Sequence, residues 1–225
     1  MVMYKLIRLE FKKIKIGGWL RNIVIANVLI ALWVITSIPN EDIQTNVLAF
    51  ASVGSYVRIT FIIFSAVFMA RIVIDEYRNK TISVLFTYPI RRQTLIIAKL
   101  ITVSLITFWL ILLSNFFATA IFLLFDHYQH YIPEPLTTRM LIDEVIRIFI
   151  WAIAFTGLSL IPFFVGMLRK SIPATIVTSF VTSIGFSGVN LDDNWLMGVI
   201  LAAAIVGFGI LTAYFAIRNI ERIDL

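Results

Sequence analysis

The chain has 225 residues, 60% of them hydrophobic and 14% charged, with a formal net charge of +6 and a mean hydropathy of +0.95. Soluble domains carry about a quarter charged residues, so this composition excludes an ordinary globular core. The lack of cysteine excludes a disulfide framework, and apolar blocks of roughly 20 residues exclude a β-barrel, which needs short segments of alternating polarity. What remains is an all-α, polytopic membrane protein, read as a single domain over residues 1–225. Its basic excess fits cytoplasmic loops, so nucleic acid is not expected as a partner.

In chain order, Met1 to Ile16 reads as an amphipathic helix. Met3, Ile7, Phe11 and Ile14 recur at helical spacing, while Lys5, Arg8, Lys12 and Lys15 take another face. Such a helix lies in the inner interface, its lysines near anionic lipid headgroups. This charged stretch is not expected to be a cleavable signal peptide. Gly17-Gly18 leads into span one, about Leu20 to Ile38, which Pro39 to Asp42 close. Span two lies within Val47 to Ile74, too long for one upright crossing at about 1.5 Å per residue. Span three runs from about Leu100 to Phe125, and a loop from Asp126 to Glu144 follows with Pro133 and Pro135. Span four, about Val145 to Leu168, contains Gly157 and Pro162, so a kink near Pro162 is expected. Arg169-Lys170 joins it to span five, Ile172 to Val189, and span six extends from Trp195 to Ile217. About six spans are therefore expected. Basic residues cluster at both termini and in the segments 75–99 and 169–170, whereas the opposite loops are acidic. That asymmetry predicts cytoplasmic termini.

Between spans two and three lies a polar, basic stretch, Asp75 to Lys99. Ile82, Leu85 and Phe86 fall on one side of a helix-like phase, and Tyr88-Pro89 ends it, because proline lacks an amide and disfavours helix before it. A short helix of this kind, wet on one face, suits contact with a soluble partner. The stretch resembles the cytoplasmic loop after the second span of ABC-2-type transporter permeases. The matching residues are Glu76, Thr81, Leu85, Pro89, Arg92 and Lys99, and Lys80 stands where the family usually has glycine. The resemblance implies that these matched residues, Lys99 included, contact a separate ATP-binding subunit, with a coupling helix over Ile82 to Phe86 seated in its groove and Arg78, Arg91 and Arg92 around the apolar anchor. It also implies an interfacial N-terminal helix, a second permease, identical or not, and ATP with Mg in the partner rather than in this chain. In size the chain is similar to permeases of bacteriocin, lantibiotic and bacitracin immunity, which export amphipathic toxins or small drugs.

No nucleotide site is expected in the chain itself. The nearest imitation, GMLRKS at Gly166 to Ser171, lacks the paired glycines of a phosphate-binding loop. His127 and His130 read as solvated loop residues rather than as metal ligands. Arg58, inside span two, lies roughly 20 Å from Arg71 along a helix. It is expected to snorkel outward; the alternative is a charge that pairs with Asp143 or Glu144. Asn115 in span three predicts an interhelical hydrogen bond. Span five carries Thr175, Thr178, Ser179, Thr182, Ser183 and Ser187, a density that suits packing against a second permease or lining a route. A lone secondary transporter would want acids inside its spans, and the acids here fall almost entirely in loops. A non-transporting sensor or scaffold stays open as a further alternative.

Overall fold

The computed structural model describes residues 2–13, 16–38, 43, 45–74, 92–169, 171–187 and 195–223. Among them all regular structure is helical, as a bilayer demands: a helix satisfies its own backbone groups where no water can. In chain order the helices are α1 (Val2–Lys13), α2 (Ile16–Ser37), α3 (Asn46–Met69), α4 (Arg92–Gln129), α5 (Thr138–Leu158), α6 (Ile161–Arg169), α7 (Ile172–Ser187) and α8 (Trp195–Ile223). α3 does not stop at Met69 but widens into a π turn over Ala70–Ile74.

Among the described residues, five helical stretches are long and apolar enough to cross a membrane: Gly17–Ser37, Asn46–Ile74, Gln93–Gln129, Thr138–Arg169 and Leu196–Arg218. The expected fifth span is shorter. α7 has 16 residues, about 24 Å at 1.5 Å per residue against a hydrocarbon core of about 30 Å. α4 has the opposite character, since its 38 residues run to roughly 57 Å and must project beyond the bilayer.

The expected kink is present. The chain breaks at Ser159-Leu160, between α5 and α6, directly ahead of Pro162. Proline has no amide for the Leu158 carbonyl and crowds the preceding turn. The break is closed locally: Ser159 N donates to Phe155 O at 3.0 Å and Ser159 Oγ to Thr156 O at 2.7 Å. At the other end of α5, the loop before it is tied to the start of α3. Asn46 N donates to Glu134 Oε2 at 2.9 Å and Asn46 Nδ2 to Glu134 O at 3.0 Å.

α3 is the axis of the bundle, packed against α4, α5 and α7. Around it the core falls into two clusters. Toward the loop that holds Glu134, Phe50, Val57, Phe61, Phe122, Trp151 and Phe155 pack together. Toward α1, Phe68, Met69, Ile74, Ile96, Phe163 and Met167 do so. α5 and α8 approach closely where Gly157 meets Gly209, because a Cβ on Gly209 would overlap the Gly157 carbonyl. α2 and α8 stay peripheral, with Leu20, Val24, Leu29, Leu32, Leu196, Ile200, Phe208 and Leu211 exposed. Such faces suit lipid.

Candidate functional site

Of the residues expected to contact the ATP-binding subunit, Glu76, Arg78, Thr81, Ile82, Leu85, Phe86, Pro89 and Arg91 lie outside the described residues. Arg92 opens α4. Lys99, two turns further along α4, is fully buried. Its Nζ donates to the Ile72 carbonyl at 3.0 Å and lies 3.2 Å from Glu10 Oε1. Ile72 belongs to the π turn that continues α3. Glu10 comes from α1, which packs on α4. The expectation that Lys99 faces the ATP-binding subunit is therefore corrected: its ammonium is enclosed by the chain's own helices. Beside it, Arg71 remains exposed and sits over the Trp19 ring at 5.3 Å. Trp19 in turn stacks on Phe68 with centroids 3.9 Å apart.

Arg58 does not snorkel. It is buried, and its guanidinium carbon sits 4.9 Å from the Trp151 ring centroid and 5.2 Å from that of Phe155. Nη2 donates to Ser55 Oγ at 2.8 Å. Gly54 makes the inward path possible, because a Cβ there would stand 2.9 Å from Nη1. Arg58, Gly54, Asn115, Glu144, Arg147 and Trp151 line one small enclosed pocket. Of the two acids in the alternative reading, Glu144 is buried, lines the same pocket as Arg58 and lies 3.8 Å from Arg147. Asp143 is exposed. Two aromatic faces and a nearby carboxylate replace the hydration that an arginine loses inside a bilayer.

Asn115 lines that pocket, but its Nδ2 donates within its own helix, to Ile111 O at 2.9 Å. A hydroxyl pair instead joins spans two and three: Thr107 Oγ1 donates to Ser65 Oγ at 2.9 Å. On α7, Thr175, Ser179 and Ser183 are buried and recur at one face, toward α3. Thr178 and Thr182 are half-buried and donate to Ala174 O and Thr178 O. The hydroxyl stripe thus packs within the chain, and the face left outward is apolar, with Val177, Phe180, Val181 and Ile184. Gly166, in the imitation of a phosphate loop, is helical and lies against Thr175 and Ile74.

A groove of ≈ 580 Å³ runs between α4, α5 and α8. Leu100, Phe108, Ile153, Leu160, Ile210 and Ile217 are among its walls, which are almost wholly apolar. It lies toward the α1 end of the bundle.

Sequence reasoning missed Glu10, Gly54 and the Trp151–Phe155 pair. Glu10 had a signal, since it is the single acid before Glu41 in a strongly basic stretch. Gly54 and Ser55 one turn ahead of Arg58 were a second signal, marking room on that face.

Long apolar helices, a basic stretch between two of them and buried polar joints define a multi-pass helical membrane protein of the transporter-permease kind. The family model described as ABC-2 family transporter protein matches residues 6–185. The chain belongs to the ABC-2 transporter family, as a membrane transport component and not a catalytic one. It is also 38% identical over 225 residues to the uncharacterised protein YcbO of Bacillus subtilis (strain 168), with 97% of this chain and 99% of that protein covered. No solved structure matches the chain.

Proposed function

We propose that the chain is the permease subunit of an ATP-driven exporter in a bacterial cell membrane. Both termini face the cytoplasm, and a separate ATP-binding subunit docks on residues 75–91. Membership of the ABC-2 family carries this reading, together with a basic, proline-stopped stretch between two long spans. Ile82, Leu85 and Phe86 supply the apolar anchor, and Glu76, Arg78, Thr81, Pro89, Arg91 and Arg92 shape and orient it. ATP and Mg belong to the partner. A second permease, identical or not, completes the pathway, and the apolar outward face of α7 is the side left available for it. The exported molecule is an amphipathic peptide, antimicrobial or small drug, for which the apolar groove between α4, α5 and α8 is a suitable surface. A secondary transporter working alone gains one point, the buried Glu144, but that acid lies beside Arg147 and shares its pocket with Arg58.

Copurification tests the docking role. Leu85 and Phe86 each contribute about 1.5–3 kcal/mol when fully buried, and about 1.4 kcal/mol is tenfold in affinity. The double variant Leu85→Ala, Phe86→Ala is expected to weaken the complex with the ATP-binding subunit by tenfold or more. The spans should still insert. Retention of the subunit at wild-type affinity overturns the reading.

A further inference from the structure

Among the described residues, the basic segment is flanked by the π turn Ala70–Ile74 and by α4, Arg92–Gln129. Lys99 joins the two. From the α4 side its Nζ holds the Ile72 carbonyl on the α3 side at 3.0 Å, and the same atom holds Glu10 of α1 at 3.2 Å. Three elements thus meet at one ammonium. A lysine offers three donors in a compact head. Fully enclosed, it is tolerated only while those donors are taken. Loss of either contact therefore removes a partner from a buried charge and unties one of the three elements from the others.

We infer that Lys99 and Glu10 are positioning residues for the docking segment. They hold its two ends and the interfacial helix as one body, so that a protein partner meets a preformed surface. This rests on the reading that residues 75–91 dock the ATP-binding subunit. Neither side chain touches that subunit. Each acts by raising the fraction of permease whose docking surface is competent, and apparent affinity falls in proportion to that fraction.

Two measurements test it, the first on the permease alone in lipid nanodiscs. By hydrogen exchange, Lys99→Met is expected to release the amides of both α1 and residues 70–74, while α4 and α5 stay protected. Glu10→Gln should release α1 alone. The swap Glu10→Lys with Lys99→Glu should protect α1 again but not residues 70–74, because a carboxylate cannot donate to the Ile72 carbonyl. Unchanged exchange in Lys99→Met overturns the inference. The second is affinity for the ATP-binding subunit that copurifies with the wild-type chain. Lys99→Met should weaken it by about tenfold, as when the competent fraction falls to about a tenth, and Lys99→Arg should retain more. Wild-type affinity in Lys99→Met, alongside release in the Leu85→Ala, Phe86→Ala variant, also overturns it. Retention by that double variant instead defeats the docking reading and leaves the exchange result to decide the joint.

Discussion

Arg58 and Lys99 are both cations enclosed by helices, yet the groups around them come from different parts of the chain. Arg58 lies mid-span, and its surroundings belong to the spans themselves: Ser55, the faces of Trp151 and Phe155, and the pocket shared with Glu144 and Asn115. Lys99 lies near a span end and is held by a peripheral helix and a backbone carbonyl. The first arrangement binds α3 to α5 through cation–π contacts, which suit a weakly hydrated guanidinium. The second uses a compact ammonium to gather three separate backbones. A buried cation in one place thus serves the cohesion of the bundle, and in the other the placement of what attaches to it.

That contrast breaks most visibly in stability. Arg58→Ala leaves a cavity between two aromatic rings and removes a cation beside Glu144, so a loss of about 3–5 kcal/mol is expected. Lys99→Met should cost the whole bundle less than about 1 kcal/mol, because the opening is confined to α1 and the π turn. Denaturant titration in mixed micelles measures both, and equal losses would erase the distinction. An effect smaller than that of Arg58→Ala, but larger than that of Lys99→Met, is expected from Gly54→Ala. Its new methyl group meets Arg58 Nη1 at 2.9 Å, and overpacking of this kind costs about 1–3 kcal/mol. No loss there would mean that the guanidinium has room to leave its aromatic clamp. The smallest perturbation sharpens which end faces the cytoplasm. Cysteine at Tyr128, 87% exposed in the last turn of α4, should react with an impermeant thiol reagent in whole cells. Cysteine at Leu9 on α1 should react only after permeabilisation, and the reverse pattern overturns the orientation.

Much of the architecture was legible because membrane spans are written in long runs. The apolar blocks gave the helices, and Pro162 gave the break between α5 and α6. Azimuth was harder. Spacing places Arg58 at a height along its helix, but whether it faces lipid or protein depends on which neighbours pack there. Only the Gly54-Ser55 pair hinted at the answer. Lys99 was misplaced for a related reason: a motif position near a docking loop suggests exposure, while its actual partners are remote in sequence at Glu10 and Ile72. The hydroxyl-rich helix shows the same limit. Thr175, Ser179 and Ser183 form a stripe at helical spacing, and no spacing says which helix will cover it.

The π turn at Ala70–Ile74 carries a consequence for the path of the chain. A π turn accommodates about one residue more than an α turn, and each α-helical residue advances the chain about 100° around the axis. Ile74 therefore lies on a different compass bearing from the one a plain helix would give it. An extra residue absorbed this way leaves the apolar stripe of the preceding span undisturbed, from Val53 through Phe61 to Met69. The bearing of the exit and the phase of the span are thus set independently. A one-codon insertion or deletion within these five residues could re-aim the loop without rewriting the membrane helix that carries it.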